Sequence, residues 1–367
     1  MNMNEIYVCM TTRHVFYAIW LILSRKSMEN ALVLICTNHQ EISDIEINID
    51  FIEGLGVKIH LVDESEIERK FKDKNLIYFI PYIGRYYSLY YGGFNTIYNN
   101  IAKQLGSFDL INTKVFSFHD RNLITKYFLK SGFVTLIEDG LANYIEQKNK
   151  LLSLKTIARI FLGYHPLLRI MGEHKKINKI LLTKPENCHF KIKTKVCNLL
   201  CDLNFNQNIL DILPKLFYLR STVSSYYNDG TIIFLTQPLD CASFCTKTRK
   251  IEVYENIIKK LLSKFKDVHV VIKPHPNEIT SEYDKLYLGS LGDRVSIIKG
   301  SCPLEALSLS QGFSNLKVIS LYTSAEFFYN SHLHPVNNLI GDVKVWSSHN
   351  IDLIERIAIE NISEIIE

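Results

Sequence analysis

Short apolar runs, several of them continuously apolar, recur along both halves of the chain and constrain its fold more than any other feature. They alternate with stretches of helical spacing, such as residues 251–265. Runs that are apolar throughout are typical of parallel strands covered on both faces, so the pattern predicts two doubly wound α/β halves. The runs are residues 6–10, 31–36, 57–62, 75–80, 115–118 and 133–137 in the first half, and 231–235, 268–272, 295–298 and 318–321 in the second.

The length of the chain indicates two domains. A chain of 367 residues is too long for one ordinary hydrophobic core. We expect a boundary between residues 205 and 206, which gives a domain of residues 1–205 and a second of residues 206–367 that ends in a helix. The net charge of +4 is mild and indicates no nucleic-acid partner.

Cysteine usage and the apolar run near the start indicate an intracellular protein. The eight cysteines are scattered, and the pairs Cys197/Cys201 and Cys241/Cys245 do not have the spacing of a zinc-ribbon knuckle. Free thiols fit a reducing cytoplasm. The apolar run 14–23 is shorter than the roughly 20 residues of a spanning helix, and no signal peptide is apparent. We therefore expect a cytoplasmic protein without a metal site.

The segment 146–195 differs from its surroundings in charge. It carries twelve basic and three acidic residues, a balance of +9, with interleaved Leu, Ile and Phe. A basic amphipathic stretch of this kind can lie on an anionic membrane surface, which would place the protein on the inner membrane face. The alternative is a solvated helical insertion packed on the first domain. The sequence leaves both interpretations open.

Glu138-Asp139-Gly140 follows the apolar run 133–137 directly. In open α/β sheets, ligands bind outside the carboxyl ends of the strands. A carboxylate there can take a proton from an attacking hydroxyl, and the glycine allows close approach of the backbone. The alternative is an ordinary Asp-Gly turn.

Lys273-Pro274-His275-Pro276 follows the apolar run 268–272. The two prolines restrict the backbone on either side of His275. An imidazole held at a strand end can donate a proton to a phosphate oxygen, and Lys273 adds positive charge. The alternative is a loop histidine without a catalytic role.

Three further strand ends carry polar candidates. Thr323-Ser324 follows the run 318–321, where small hydroxyls suit phosphate binding, although for the pair taken alone an ordinary helix cap is the better explanation. Glu305 follows the run 295–298 and can accept hydrogen bonds from a ribose or base, or simply occupy a first helical turn. Asp240 lies shortly after the run 231–235 and is a second candidate for a base.

Together these motifs resemble the bacterial sialyltransferases, including the lipooligosaccharide sialyltransferases and the capsule polysialyltransferases. The resemblance covers most of the chain and depends on the order of short motifs. They are Glu138-Asp139-Gly140, His275-Pro276 and Thr323-Ser324, with the segment 9–14 similar to the turn after the first strand of that group.

The resemblance implies a fold, a reaction and partners. The fold would be of GT-B type, two Rossmann-like doubly wound domains facing a central cleft, with the acceptor on the first domain and the nucleotide sugar on the second. The reaction would be inverting transfer of sialic acid from CMP-sialic acid to a hydroxyl of a bacterial surface glycan. The acceptor would be lipid-linked, as in an O-antigen, lipooligosaccharide or capsule unit. No cofactor is required, because electrostatic stabilisation of the departing phosphate can replace a metal.

The resemblance also implies residue roles. Asp139 or Glu138 would be the base, and Asp240 would replace them if the base comes from elsewhere. His275 would protonate the departing phosphate. The remaining candidates would bind substrate: Lys273, Pro276, Thr323 and Ser324 at the phosphate, Glu305 at the cytidine, and Gly140 by close approach of its backbone.

Two other functions are compatible with the same motifs. One is a different nucleotide-dependent transferase, such as a glycerophosphotransferase that uses CDP-glycerol or a Kdo transferase. The other is a non-catalytic protein of glycan assembly, in which replacing His275 would change nothing.

Overall fold

The computed structural model separates the chain into two compact units, residues Met1–Phe217 and Tyr218–Glu367. The residues that the structure describes are 4–38, 46–66, 69, 112–140, 143–144, 147–148, 159–160, 163–165, 168–218, 230–241, 244–276, 278–284, 291–298, 302–310, 317–323, 336–342, 345–346 and 348–363. The strand expected at residues 75–80 lies outside the described residues, as do Ser324 and most of the apolar residues between 149 and 167.

The first unit is built on a seven-stranded sheet with the order β3-β2-β1-β4-β5-β8-β9, in which every pairing is parallel. A separate antiparallel pair joins β6 and β7. The strands are β1 (Glu5–Cys9), β2 (Ala31–Cys36), β3 (Lys58–Val62), β4 (Lys114–Ser117), β5 (Val134–Ile137), β6 (Gln147–Lys148), β7 (Leu168–Arg169), β8 (Ile177–Leu182) and β9 (Val196–Asn198).

Four helices of the first unit are described: α1 (Thr12–Arg25), α2 (Ile49–Gly54), α3 (Leu123–Ser131) and α4 (Gln207–Ile212). Helix α1 is apolar on nearly all sides, and eleven of its fourteen residues are buried. The Thr11 side chain caps its amino end by accepting a hydrogen bond from the backbone N–H of His14 (3.2 Å). This cap fixes the turn between β1 and α1, which is the turn that carries His14.

Part of the basic segment 146–195 belongs to the sheet of the first unit, so the segment is not helical throughout. Strand β8 pairs with β5 on one side and β9 on the other. Its residues Ile177, Ile180 and Leu181 are fully buried. The neighbouring lysines keep their charges at the surface, as Lys179 does by pairing with Asp202 (3.1 Å). The net charge of the segment therefore does not predict its core strand.

The division between the units falls at residues 217 and 218, later than the boundary expected from the sequence. Residues 206–217 stay with the first unit because their backbone bonds to it. The N–H of Asn48 donates to the carbonyl of Leu216 (2.8 Å), and Phe217 forms an antiparallel bridge with Ile47. The short helix α4 and the turn after it therefore close the first unit.

The second unit has a fully parallel five-stranded sheet with the order β12-β11-β10-β13-β14. Its strands are β10 (Thr231–Leu235), β11 (His269–Lys273), β12 (Val295–Ile297), β13 (Lys317–Ser320) and β14 (Val336–Asn338). Its helices are α5 (Lys247–Lys264), α6 (Leu304–Leu309) and α7 (Ile351–Asn361).

The long helix α5 covers the second sheet with one apolar face. Its residues Val253, Tyr254, Ile257, Ile258 and Leu261 are fully buried in the core of this unit. Burial of each such side chain contributes roughly 1.5–3 kcal/mol to the free energy of folding. Helix α7 packs beside α5 and is joined to it by Arg249, which pairs with Asp352 (2.7 Å). Helices α5 and α7 are thus packed together in the second unit.

Candidate functional site

Three neighbouring strands of the first unit end in candidate polar residues. His14 lies in the first turn of α1, just beyond β1; His119 follows β4; and Asp139 follows β5. Because β1, β4 and β5 are adjacent and parallel, their carboxyl ends meet at one edge of the sheet. The topology therefore brings together residues that are far apart in the sequence.

Asp139 and His14 form a hydrogen-bonded pair at this edge. The distance from Nε2 of His14 to Oδ1 of Asp139 is 2.6 Å. The His14 side chain is 2% exposed and the Asp139 side chain 24% exposed. The imidazole stacks on the ring of Phe118 with the ring centres 4.3 Å apart. Asp139 thus reaches solvent, while its partner is held inside the unit.

The hydrogen bonds of His14 determine its tautomer. The backbone N–H of Met10 donates to Nδ1 of the imidazole (3.1 Å), so this nitrogen carries a lone pair. The proton of a neutral His14 therefore lies on Nε2 and is donated to Asp139. The arrangement orients one carboxylate oxygen and leaves the other carboxylate oxygen of Asp139 for other contacts.

The pKa of Asp139 lies below its usual range. Burial opposes ionisation, but the nearby His14 outweighs it, both by its charge when protonated and by its hydrogen bond. His119 and Arg13 add smaller contributions in the same direction. Asp139 is therefore a carboxylate at neutral pH, the state that a general base requires.

The backbone around Asp139 is fixed by its own turn. The N–H of Asp139 donates to Oδ1 of the buried Asn143 (2.6 Å), and the N–H of Asn143 donates to the carbonyl of Gly140 (3.2 Å). Gly140 has a φ of +89°, a conformation that favours glycine because it has no Cβ. This explains the glycine of the motif by local geometry.

Glu138 points into the protein rather than toward solvent. It is 2% exposed. Its Oε2 accepts three hydrogen bonds: from the N–H of Thr183 (2.7 Å), from the hydroxyl of Thr183 (2.6 Å) and from the hydroxyl of Tyr144 (2.6 Å). Glu138 therefore ties β5 to the end of β8. This geometry favours Asp139 over Glu138 as the group that meets a substrate.

The candidates of the second unit also gather at the carboxyl ends of parallel strands. Thr236 and Asp240 follow β10, Lys273 ends β11, His275 follows it, and Thr323 follows β13. The backbone N–H of Thr236 donates to the carbonyl of Lys273 (3.2 Å), which joins the first two strand ends.

His275 lies in a tight turn and is half-buried. Its N–H donates to Oγ1 of Thr236 (3.1 Å) and to Oε2 of Glu278 (2.9 Å), and its carbonyl accepts from the N–H of Glu278 (2.9 Å). Pro276 is exposed at the second position of this turn, where proline fits well. The backbone of His275 is therefore fixed on both sides.

Asp240 is already engaged by a buried lysine. Nζ of Lys250 lies 2.9 Å from Oδ1 of Asp240. Burial opposes ionisation of Asp240, but the hydrogen bond and charge of Lys250 outweigh it and lower its pKa. This pairing gives Asp240 a structural task within the second unit.

The other binding candidates occupy three positions at this edge. Lys273 is 6% exposed and Glu305, in the first turn of α6, is 2% exposed. Thr323 is held by Asn338, whose Oδ1 accepts from the N–H of Thr323 (3.0 Å) and whose amide donates to its carbonyl (3.2 Å). The backbone N–H and carbonyl of Thr323 are thus both bonded to Asn338, in β14.

Two contacts of the candidate residues do not follow from the sequence alone. The sequence indicates His14 only as part of the segment 9–14, and its contact with Asp139 spans 125 positions. The contact of Glu278 is not predicted from the sequence, although Glu278 lies three residues after His275. The spacing His-Pro-x-Glu was a usable signal for Glu278, because a carboxylate at that distance can accept from the N–H of the first residue.

The described part of the chain contains neither a group of metal ligands nor a membrane-spanning helix. Among the described residues, no group of three His, Cys, Asp or Glu side chains is placed to hold a metal ion. Within the same residues, no helix is both long and apolar enough to cross a bilayer.

Solved structures with the same architecture include a sialyltransferase and a UDP-GlcNAc 2-epimerase. The GT-B domain of a sialyltransferase from Photobacterium damselae is 12% identical, with a TM-score of 0.52 over 98% of this chain and 97% of that one. A UDP-GlcNAc 2-epimerase from Neisseria meningitidis, bound to UDP-GlcNAc, is 12% identical, with a TM-score of 0.50 over 99% and 92%. These likenesses confirm the GT-B fold expected from the sequence.

Sequence comparison identifies the family. An uncharacterized protein of Haemophilus influenzae is 31% identical over 227 residues, which cover 57% of this chain and 65% of that protein. The chain therefore spans slightly less than two thirds of this relative. The model of glycosyltransferase family 52 matches residues 90–338, which is more than half of the chain and includes the motifs at Asp139, His275 and Thr323. The chain belongs to glycosyltransferase family 52.

Proposed function

We propose that this protein is an inverting sialyltransferase that moves sialic acid from CMP-sialic acid to a hydroxyl of a bacterial surface glycan. The observation that carries the proposal is the Asp139–His14 pair: an ionised, partly exposed carboxylate, oriented by a buried imidazole at the carboxyl edge of the first sheet. Membership of glycosyltransferase family 52 supports glycosyl transfer as the reaction.

Two residues carry out the two proton transfers of the reaction. Asp139 removes the proton of the acceptor hydroxyl as its oxygen bonds to the anomeric carbon of sialic acid. The bond from that carbon to the phosphate oxygen breaks at the same time, and His275 donates a proton to the departing CMP. A single displacement of this kind inverts the anomeric configuration. No metal takes part in these steps.

The two units have separate tasks in this proposal. The first unit, with Asp139, receives the acceptor, and the second unit, with His275, holds the donor nucleotide. Lys273 and Thr323, with Ser324 beside it, contact the donor phosphate, and Glu305 accepts hydrogen bonds from the cytidine. Parallel strand ends are the usual location for such ligands in α/β sheets, which supports the assignment.

A donor panel tests the proposed function. The purified protein is incubated with CMP-sialic acid, CMP-Kdo, CDP-glycerol or UDP-GlcNAc, with and without a panel of acceptor glycans, and nucleotide release is measured. We expect acceptor-dependent release of CMP from CMP-sialic acid, unchanged by EDTA. Release only from CDP-glycerol or CMP-Kdo would replace sialyl transfer with one of the other transferase reactions. Loss of activity in EDTA, with rescue by Mg²⁺ or Mn²⁺, would contradict the metal-free mechanism.

We further propose that the protein binds the inner membrane face peripherally and meets a lipid-linked acceptor there. The described part of the segment 146–195 supports this with exposed Lys175, Lys191 and Lys193, and with Phe190, which is 71% exposed. An exposed aromatic ring among lysines suits the boundary between lipid headgroups and acyl chains.

Binding to anionic vesicles is the expected result of this arrangement. Each basic residue near such a surface contributes about 1 kcal/mol. The variant Lys191→Gln/Lys193→Gln is therefore expected to lose at most about 30-fold in affinity at low salt. Vesicle sedimentation measures this, and Lys260→Gln/Lys266→Gln, with two exposed lysines of the second unit, is the matched control. Equal binding by both variants, or no binding by the wild type at low salt, would contradict the proposal.

A further inference from the structure

A buried lysine in the second unit gathers three carboxylates. Lys250 lies on α5 and is 1% exposed. Its Nζ is 2.9 Å from Asp240, 2.9 Å from Glu282 and 3.2 Å from Glu278. Burial opposes the charge of Lys250, but its hydrogen bonds and the charges of its partners outweigh this and raise its pKa. A charge buried this deeply persists only when it is paired, so the three carboxylates are what keeps Lys250 charged inside the unit.

Glu278 is the member of this cluster that reaches the turn of His275. Its side chain is 1% exposed, and both oxygens are fully used. Oε1 accepts from the hydroxyl of Tyr283 (2.6 Å) and faces Lys250. Oε2 accepts from the N–H of His275 (2.9 Å) and from the hydroxyl of Thr236. One buried carboxylate thus links the helix α5, the end of β10 and the His-Pro turn.

The bond between Glu278 and His275 is reciprocal. The side chain of Glu278 accepts from the N–H of His275, and the N–H of Glu278 donates to the carbonyl of His275 (2.9 Å). The bond to the carboxylate corresponds to one half of a capping box, while the return bond goes to the backbone carbonyl of His275 rather than to its side chain. Pro274 and Pro276 restrict the chain on either side. Together these contacts leave the backbone of His275 with one orientation.

We propose that Glu278 is the positioning residue of His275, held in place by Lys250. Its carboxylate fixes the direction in which the imidazole leaves the main chain, and therefore the point at which a proton reaches the departing phosphate. The inference rests on the proposed role of His275. It goes further by assigning a role to a buried glutamate and a buried lysine that have none in the proposed function.

A double-mutant cycle tests the inference. The variants are Glu278→Gln, His275→Ala and the two combined, with kcat measured on CMP-sialic acid and the Kd of CMP measured separately. Misplacing a catalytic group by about 1 Å can cost on the order of 100-fold in rate, so we expect Glu278→Gln to lower kcat by about 10- to 100-fold. The Kd of CMP should change by less than about twofold, and the double variant should be no slower than His275→Ala alone.

Glu282→Gln is the matched control. Glu282 contacts the same Lys250 and also pairs with Lys247 (2.7 Å), but it forms no bond with the described residues of the His275 turn. It should keep kcat close to that of the wild type. If Glu278→Gln does not fold, Thr236→Val removes the hydroxyl that contacts both His275 and Glu278 and decides the question by the same cycle.

The outcomes separate the inference from the proposed function. A normal kcat for Glu278→Gln beside a slow His275→Ala would overturn the inference alone. Additive losses in the double variant would also overturn it, because Glu278 would then act independently of His275. A normal kcat for His275→Ala would overturn the proposed role of His275 and the inference with it.

Discussion

Replacing His275 with alanine is expected to lower kcat on CMP-sialic acid by about 100-fold or more. This is the usual scale for the loss of a general acid, since the departing phosphate must then leave without a proton. The binding of CMP should change little, because the imidazole acts on the phosphate oxygen as the bond breaks and contributes less before that. Steady-state kinetics together with calorimetric titration of CMP separates the two quantities.

His334→Ala is the control for this result. His334 also precedes a proline, but no comparable apolar run precedes it in the sequence. Its replacement should leave kcat within about twofold of the wild type, because the proposed mechanism gives His334 no role. A His275→Ala variant with near-normal turnover would remove His275 from the mechanism.

Asp139→Asn should lower kcat by about 100- to 10,000-fold with little change in the KM of the donor. An amide cannot accept the proton of the acceptor hydroxyl, yet it keeps the size of the carboxylate and an oxygen that can face His14. Because the pKa of Asp139 lies below its usual range, the wild-type base is ionised at neutral pH. The acidic limb of the rate profile should therefore lie below the ordinary range of an aspartate.

Two other carboxylates provide the comparison for Asp139. Glu138→Gln should act mainly on stability and lower the Tm, because Oε2 of Glu138 joins Thr183 and Tyr144. Asp240→Asn should weaken the pairing of Lys250 and affect turnover less than Asp139→Asn. If Asp240→Asn alone abolishes turnover, the base comes from the second unit and the role assigned to Asp139 is wrong.

The strand ends of both units were accessible from the sequence because parallel strands carry a plain signal. Residues 133–137 and 268–272 are apolar except for Thr135 and His269, and each run is followed at once by charged residues and turn formers. The structure places β5 and β11 there. The resemblance to bacterial sialyltransferases is confirmed by the family match, and the GT-B fold by the structural neighbours.

The pairings behind the candidate residues were not accessible in the same way. The contact between His14 and Asp139 depends on β4 lying between β1 and β5, an order that no local pattern encodes. The same applies to Lys250, which stands on the face of α5 that a solvated lysine would avoid and is buried only because three carboxylates meet it there. Long-range charge pairing appears only once the topology is known.

The basic segment 146–195 shows a different failure of sequence-based prediction. Its charge balance indicates a segment that lies entirely at the surface. The segment nevertheless includes strand β8, whose buried residues Ile177 and Ile180 each follow a lysine in the sequence. The long side chain of lysine can leave a strand and carry its charge to solvent. Net charge over fifty residues therefore says little about where individual strands lie.

NMR observation of the first product formed from CMP-sialic acid and an acceptor glycan tests inverting sialyl transfer most directly. Inverting transfer predicts that a new sialoside appears together with CMP, with the anomeric configuration opposite to that of the donor. A first product with the configuration retained, or free sialic acid and CMP without any sialoside under conditions in which the protein turns over, would contradict inverting sialyl transfer.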